Sequence, residues 1–281
     1  MSKVWFITGT STGFGRELAV AALEAGNKVV ATARKPEVLS DLTERYGDSV
    51  LTTRLDVTSK ADIASAVEAA VNKFGQIDVL VNNAGYGVFG GFEEITEAQY
   101  RAQYDTNVFG LIAVTQAVLP WMRARKSGHI LNVSSVVGLV ALPGLSAYGS
   151  SKFAVEGISE AMAAELAPLG IRVIIIEPGA FKTAFGNTGI PKGENPLKEY
   201  EATAGGTIGW LEGMVQNGSA PGDPQKAALA MLAIVDEPNP GLRLLLGSDA
   251  LGMATQKIDA LKANFEQAAH MTHSTNFASA E

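Results

Sequence analysis

Two residues near the middle of the chain have the types and the spacing that a proton-transfer group requires. Tyr148 and Lys152 stand four residues apart in "YGSSK", so on a helix their side chains share one face, with Cβ atoms roughly 5–6 Å apart. A phenol has a reference pKa near ~10 and is a weak acid at neutral pH. A neighbouring ammonium favours the ionised phenol and would bring its proton within useful reach. Because such pairs are common, this one gains meaning only from its surroundings.

A glycine turn near the start of the chain has the character of a phosphate-binding turn. In "TGTSTGFG", residues 8–15, the glycines follow the spacing GxxxGxG, which is neither GxGxxG nor the GxxxxGK[ST] phosphate loop. The turn comes between an apolar strand and a helix expected at Arg16–Ala25. Glycines permit close approach to a ligand, and a helix N-terminus favours a diphosphate. The alternative is a tight strand–helix turn without a ligand.

The end of the second predicted strand bears on which nucleotide would bind. A domain that prefers NAD places an acid there to bond the ribose 2′-hydroxyl. In "KVVATARKPE" Ala33 takes that place, and Arg34 and Lys35 follow it. Two cations could pair with a 2′-phosphate, which favours NADP over NAD. The alternative is two solvated cations before a helix.

The elements that must position these groups alternate between short apolar runs and longer helical patterns. The helical stretch "SKADIASAVEAAVNKF" has apolar residues on one face and opens on Ser59 and Asp62, which resemble a capping box. Another helix is expected at Tyr148–Leu166. This alternation predicts a single α/β domain with a doubly wound parallel sheet. The predicted strands are Val4–Thr8, Lys28–Ala33, Val50–Asp56, Asp78–Asn82, His129–Ser134, Arg172–Glu177 and Leu242–Leu246.

An ordered set of motifs makes the pattern specific. The chain resembles the short-chain dehydrogenase/reductase family, continuously over about residues 3–185 and again near the seventh strand. The motifs are TGxxxGxG, NNAG at Asn82–Gly85, Asn107, Ser135, YxxxK at Tyr148 and Lys152, and PGxxxT at Pro178–Thr183. The resemblance implies a Rossmann-type fold, with a mostly parallel seven-stranded sheet and helices on both faces. It also implies hydride transfer between NAD(P) and an alcohol/carbonyl pair.

The same resemblance assigns four catalytic residues. Tyr148 would donate a proton to a carbonyl oxygen during reduction and accept one during oxidation. Lys152 would hold the nicotinamide ribose and lower the pKa of Tyr148. Ser135 would polarise the carbonyl, and Asn107 would orient a water in a proton relay. Two hydroxyl donors converging on one oxygen would stabilise the charge that grows there.

A larger set of residues is assigned to the cofactor, which we expect to be NADP, with NAD less favoured. Many family members that prefer NADP carry a basic residue just before the second glycine, where this chain has Thr12. Tyr148 and Lys152 belong to this set as well as to the catalytic one. The other expected cofactor-binding residues are Gly9, Ser11, Thr12, Gly13, Phe14 and Gly15 at the diphosphate, Arg34 and Lys35 at the ribose phosphate, Asp56 and Val57 at the adenine, Asn83, Ala84 and Gly85 in the centre, and Pro178, Gly179, Phe181 and Thr183 over the nicotinamide.

Apolar residues surround the expected reaction centre. Residues 186–224 interrupt the strand–helix rhythm and are interpreted as a lid over the substrate or, alternatively, as a surface insertion. We expect residues 1–185 to form the catalytic core, 225–270 the last helices and strand, and 271–281 a tail. Such a pocket suits a largely hydrophobic ketone, aldehyde or secondary alcohol. Its candidate lining comprises Tyr86, Val88, Phe89, Val137, Leu139, Leu142, Leu145, Phe181, Phe185 and Trp210. Trp121, in the stripe after Asn107, is expected to be packed.

Composition narrows the possible partners. The 281 residues include 22 Lys+Arg and 29 Asp+Glu, a net charge of −7 without a basic run, which argues against nucleic acid or an anionic membrane as partner. There are no cysteines, and the three histidines show no metal-ligand spacing. We expect a cytoplasmic protein without a metal site, acting on a small-molecule carbonyl or alcohol. The resemblance implies a homodimer or homotetramer formed through Asn107–Arg125 and Tyr148–Leu166.

Two other functions are considered. A non-enzymatic NADPH sensor could use the same fold, although it would not require Asn107, Ser135, Tyr148 and Lys152 together. A sugar-nucleotide epimerase of the related extended group would typically carry TGxxGxxG, whereas one residue separates Gly13 from Gly15 here. Turnover of a carbonyl would exclude the sensor, and consumption of a nucleotide sugar would favour the epimerase.

Overall fold

A seven-stranded, wholly parallel sheet forms the centre of the molecule, in a computed structural model that describes residues 2–183 and 190–277. The strand order is β3-β2-β1-β4-β5-β6-β7. This confirms the doubly wound α/β fold, with each strand within two residues of its expected bounds. The strands are β1 (Val4–Ile7), β2 (Lys28–Ala33), β3 (Val50–Arg54), β4 (Val79–Asn82), β5 (Gly128–Val133), β6 (Ile171–Pro178) and β7 (Arg243–Leu246).

Helices cover both faces of the sheet. Successive side chains of a strand point to opposite faces, so a strand buried on both sides needs helices on both. In β1, Trp5 and Ile7 belong to a core shared with α1 and α8, while Val4 and Phe6 belong to one shared with α3 and α5. The helices are α1 (Gly13–Glu24), α2 (Ser40–Tyr46), α3 (Lys60–Phe74), α4 (Glu97–Tyr104), α5 (Leu111–Arg125), α6 (Ser146–Leu166), α7 (Gly206–Gln216), α8 (Pro224–Ile234), α9 (Ser248–Gln267) and α10 (Ala269–Ser274). Among the described residues, no helix combines the length and apolar character needed to cross a bilayer.

The start of α3 confirms one half of the predicted capping box. The Ser59 hydroxyl accepts from the Asp62 backbone N–H at 3.2 Å. The Asp62 carboxylate, however, accepts from the Asp56 backbone N–H and from Arg54, both at 3.1 Å. It therefore ties α3 to the end of β3.

One turn of π-helix, Asp105–Gly110, joins α4 to α5 and contains Asn107. Such turns often occur at functional sites. The helix α5 continues through Pro120 to Arg125. Trp121 is 44% exposed, so the expectation that it is packed was wrong for this chain.

The predicted lid contains more regular structure than its many Gly and Pro residues indicated. Within it, α7 buries Ile208, and short helical turns at residues 198–205 precede that helix. The segment is bonded to the loop after β4, because Phe89 N–H donates to Pro191 O and Gly193 N–H donates to Phe89 O, both at 2.9 Å. Residues 184–189 of the core and lid, with the predicted lining residue Phe185, lie outside the described residues.

Candidate active site

The glycine turn lies where the strand order reverses between β1 and β4, the usual ligand position in an open α/β sheet. Gly9 and Gly13 have φ of +71° and +61°, a region that side-chain-bearing residues rarely adopt. A Cβ at Gly15 would lie 2.4 Å from Gly9 O and 2.5 Å from Asn83 Nδ2. Thr12 precedes α1 without a side-chain cap on its N–H groups. The turn thus places a helix N-terminus against a backbone cradle.

The motif NNAG holds this turn in place. Asn83 Nδ2 donates to the carbonyls of Thr8 and Gly9, each at 2.9 Å. In return the Thr8 hydroxyl accepts from the backbone N–H groups of Asn83 and Ala84. The positioning role of Thr8 was not part of the sequence prediction, although its place directly before Gly9 in the motif is a signal for it.

The cations predicted to bind the ribose 2′-phosphate of NADP are solvent-exposed at the end of β2. Arg34 and Lys35 follow Ala33, and the parallel register pairs Ala33 with Arg54 of β3. Arg54 donates to Arg34 O at 3.1 Å, so a third cation lies at this edge. Asp56 accepts from Thr58 N–H and the Thr58 hydroxyl, and these bonds hold the pKa of its carboxyl below the usual value.

The segment Pro178–Thr183 contacts both the glycine turn and the start of α9. The rings of Phe14 and Phe181 meet edge to face with centroids 5.0 Å apart. Ala180 N–H donates to Asp249 Oδ2 at 2.7 Å, and a Cβ at Gly179 would lie 2.2 Å from the same oxygen. Asp249, on the first turn of α9, was not predicted, because nothing local in the sequence links it to Gly179.

Tyr148 and Lys152 lie on one face of α6, and both are buried. Lys152 Nζ donates to Val133 O at 2.8 Å and lies 5.7 Å from the ring centroid of Tyr148. Burial raises the pKa of Tyr148 to about 12, and a hydrogen bond with Ser135 opposes that rise. Burial lowers the pKa of Lys152 to about 8, and the charge of Glu156 opposes that fall. The direction of the Tyr148 shift, set by burial, is opposite to the lowering that the resemblance implied for Lys152.

Asn107 is buried beside these residues and has few free hydrogen-bonding positions. Its amide hydrogens go to Tyr86 O at 2.9 Å and Ser151 Oγ at 3.0 Å, and its Oδ1 accepts from Tyr86 N–H. A Cβ at Gly85 would lie 3.1 Å from Asn107 Oδ1 and 3.6 Å from Lys152 Nζ. Asn107 Oδ1 and Lys152 Nζ therefore both lie close to Gly85, where a side chain would crowd them.

An apolar cluster packs around Tyr148, and it contains only part of the predicted lining. Phe89, Val137, Leu142 and Leu145 belong to it. The other predicted residues do not, since Tyr86 and Val88 pack with Ile95, Phe181 packs with the α1 core, and Trp210 is 57% exposed. Leu139 is half-buried outside the cluster. The structure adds Val136, Val140, Ile190, Ile208, Leu211, Leu245, Ala250 and Met253.

The residues present fit a nicotinamide dinucleotide. No side chain fits at Gly15, so the glycine turn packs closely against Gly9 and Asn83. The N–H groups at the start of α1 carry no side-chain cap from Thr12 and suit a diphosphate. At the nicotinamide end of the expected site, the Lys152 ammonium and the hydroxyls of Ser135 and Tyr148 lie near the carboxyl end of β5. Gly9, Gly13 and Gly15 would hold the diphosphate, Asn83 and Thr8 would shape the cradle, and Lys152 would hold the ribose.

The chain is similar to known proteins over most of its length. Residues 3–192 match the family model of the short chain dehydrogenases. Oxidoreductase BOA17 from Botryotinia fuckeliana is 42% identical over 270 residues, covering 95% of this chain and 97% of its own. The crystal structure of a short-chain dehydrogenase from Streptomyces avermitilis is 40% identical, with a TM-score of 0.90, covering 99% of this chain and 100% of that chain.

Solved structures that hold a cofactor are also similar. ElxO with NADP bound is 25% identical with a TM-score of 0.73, covering 90% of this chain and 100% of its own. The 3-ketoacyl-(acyl-carrier-protein) reductase from Brucella melitensis, complexed with NADH, is 29% identical with a TM-score of 0.71, covering 86% and 96%. Neighbours thus bind either nicotinamide cofactor. By its fold, its motifs and these relatives, the chain belongs to the short-chain dehydrogenase/reductase family of oxidoreductases.

Proposed function

We propose that this enzyme reduces a largely hydrophobic ketone or aldehyde to the alcohol with NADPH, or catalyses the reverse oxidation. The observation that carries the proposal is the hydrogen-bonded pair of Ser135 and Tyr148 near the carboxyl end of β5, with Tyr148 itself part of an apolar cluster. Two hydroxyls at one place can bind one carbonyl oxygen. The residues packed around Tyr148 would offer a substrate little besides hydrocarbon.

Proton transfer in this proposal begins at Tyr148. Its raised pKa keeps the phenol protonated at neutral pH, the form needed to donate a proton to a carbonyl oxygen during reduction. Ser135 would donate a second hydrogen bond to the same oxygen and stabilise its developing negative charge. The bound cofactor supplies the hydride.

After the transfer, Tyr148 would be reprotonated through a relay that includes Lys152 and Asn107. Lys152 Nζ and Asn107 Oδ1 both lie beside Gly85. Because both Asn107 amide hydrogens are already bonded, a relay water near these two atoms would donate to Oδ1. Lys152 would hold the cofactor ribose and pass protons between that water and the phenol.

The preference for NADP is supported by charge. Arg34 and Lys35 are exposed at the end of β2, Arg54 lies on the adjacent strand, and no carboxylate follows Ala33 directly. Guanidinium and ammonium groups favour the additional phosphate of NADP, whereas an acid in that place would repel it.

We also propose a homodimer or homotetramer. Three large aromatic side chains are exposed around α5 and α6, namely Phe109 (59%), Trp121 (44%) and Phe153 (42%). Exposed aromatic groups are enriched in protein interfaces. Burial against a second copy of the chain would remove them from water.

The direct test is an initial-rate assay with NADPH and, separately, NADH, using ketones and aldehydes of increasing apolar bulk. We expect turnover that prefers NADPH and rises with apolar bulk until the pocket is filled. Tight binding of cofactor without turnover of any carbonyl would contradict the reductase and favour a sensor. Consumption of a nucleotide sugar would favour an epimerase.

A further inference from the structure

Three carboxyl groups of α6 and β6 pair with one guanidinium of β7. Arg243 of β7 makes ion pairs with Glu156 and Glu160 of α6 and with Glu177 of β6. The side chain of Glu177 is fully buried and that of Glu156 is 6% exposed, whereas Glu160 is 57% exposed. One cation therefore faces two buried carboxyl groups as well as a solvated one.

Each of the two buried carboxyl groups has one oxygen that accepts no hydrogen bond from the described residues. Glu156 Oε1 and Glu177 Oε2 are buried without a donor among the described residues. The side chains of Glu156 and Glu177 lie within hydrogen-bonding reach of each other. Ionised carboxylates only accept hydrogen bonds, so a bond between them requires a proton on one of the two.

Charge supports the same conclusion. Burial, followed by the charge of Glu156, raises the pKa of Glu177 to about 7, and Arg243 opposes that rise. Two like charges in one buried place cannot both ionise easily. When two carboxyl groups interact this closely, a proton between them is a property of the pair rather than of either residue.

The pair lies next to the groups that carry the proposed chemistry. Glu156 follows Lys152 by one turn of α6, and its charge raises the pKa of Lys152. Glu177 directly precedes Pro178. A Cβ at Gly138 would lie 2.6 Å from Ser134 Oγ and 3.1 Å from Glu156 Oε1, so the pair also adjoins the turn that contains Ser135.

We propose that Glu156 and Glu177 share one proton under Arg243, and that Glu156 is a positioning residue that keeps Lys152 in its ammonium form. The second part rests on the proposed function. The charged groups that face the pair are Arg243 from β7 and Glu160 and Lys152 from α6, with the Ser134 hydroxyl beside it. With one proton shared, the pair retains one negative charge near Lys152.

The first test compares the pH dependence of kcat/KM for NADPH in the wild type, Glu156→Gln and Glu160→Gln. Glu156→Gln removes the charge one turn from Lys152, so the alkaline limb should move down by about one pH unit. Glu160→Gln is the matched control, because it also loses a bond to Arg243 but lies farther along α6 in solvent. Equal shifts in both variants, or no shift in Glu156→Gln, would overturn the positioning role.

The second test requires no substrate. A carboxyl whose pKa is higher in the folded than in the unfolded protein binds extra protons when folded between about pH 4.5 and 7, the two values for Glu177. Stability from this group is therefore full at low pH and falls as the pH rises to 7. Thermal unfolding from pH 4.5 to 8 should show this loss in the wild type and a smaller loss in Glu177→Gln.

These readouts separate the two proposals. A wild type without carbonyl turnover contradicts the reductase, while the unfolding experiment still tests the shared proton. If Glu156→Gln does not fold, Glu156→Asp retains the charge and should keep the wild-type alkaline limb. Identical pH dependence of unfolding in the wild type and Glu177→Gln would overturn the shared proton.

Discussion

Lys152 lies over the ring of Tyr148, with Nζ 5.7 Å from the ring centroid, and bonds to Val133 O. Burial disfavours the charged form of both side chains, raising the pKa of Tyr148 to about 12 and lowering that of Lys152 to about 8. The protonated phenol is therefore the dominant form at neutral pH. This state suits proton donation, and the ammonium beside it is the group that titrates first.

Loss of that ammonium should limit activity at alkaline pH. Lys152 is charged below about pH 8 and becomes neutral above it. Because kcat/KM reports groups of the free enzyme, its value for NADPH should fall above about pH 8, by about tenfold per pH unit. The variant Lys152→Arg keeps its positive charge. Its kcat/KM should be lower than that of the wild type but should not fall above about pH 8. A wild-type profile that stays level to pH 10 would contradict the assignment.

The cations after β2 should determine cofactor choice. Replacing Arg34 and Lys35 together by alanine should raise KM for NADPH by about 10²–10⁴-fold, since two charge-assisted bonds are lost and each is worth about 1.5–3 kcal/mol. KM for NADH should change little. Arg101→Ala, which removes an exposed cation on α4, is the control. Equal losses with both cofactors would contradict a ribose-phosphate role.

Two glycine substitutions should have opposite effects on stability. A Cβ at Gly15 would lie 2.4 Å from Gly9 O, whereas one at Gly157 in α6 meets nothing within 4 Å. Gly15→Ala should lower Tm by about 3–10 °C through overpacking. Gly157→Ala should raise stability by about 0.5–1 kcal/mol, because alanine favours a helix. Calorimetry of the two variants provides the comparison, and a stable Gly15→Ala would contradict the tight packing of the turn.

The aromatic side chains around α5 and α6 should control assembly. Changing Trp121 and Phe153 together to serine should lower the solution mass to that of the 29.4 kDa chain, because burial of these rings would be lost. Phe265→Ser, on α9 and also exposed, is the matched control. Light scattering after size-exclusion chromatography measures the mass. A wild type that is already monomeric would contradict the proposed oligomer.

Local patterns predicted the sheet well because the five inner strands are buried on both faces and are bounded by turn residues, although β3 and β7 at the edges are only partly buried. The order of the motifs along the chain also indicated the site, since parallel strands bring their carboxyl ends to one edge. Strand ends shifted by one or two residues, and Asp62 of the predicted capping box bonds elsewhere. These details depend on neighbouring strands and loops rather than on local sequence.

Long-range contacts account for what the sequence analysis missed. Asp249 reaches Ala180 across 69 residues, and Arg243 reaches Glu156 across 87. No periodicity or spacing links such pairs. The raised pKa of Tyr148 was missed for a similar reason, because burial depends on the packing of Phe89 and other distant residues.

The most direct measurement is the turnover of Tyr148→Phe with NADPH and an apolar ketone. We expect a fall in kcat by about 10²–10⁴-fold, the usual contribution of a general acid, with the Kd for NADPH nearly unchanged. Tyr46→Phe, a phenol of α2 outside the site, should retain full activity. If Tyr148→Phe turns over at the wild-type rate, Tyr148 is not the proton donor and the central claim is wrong.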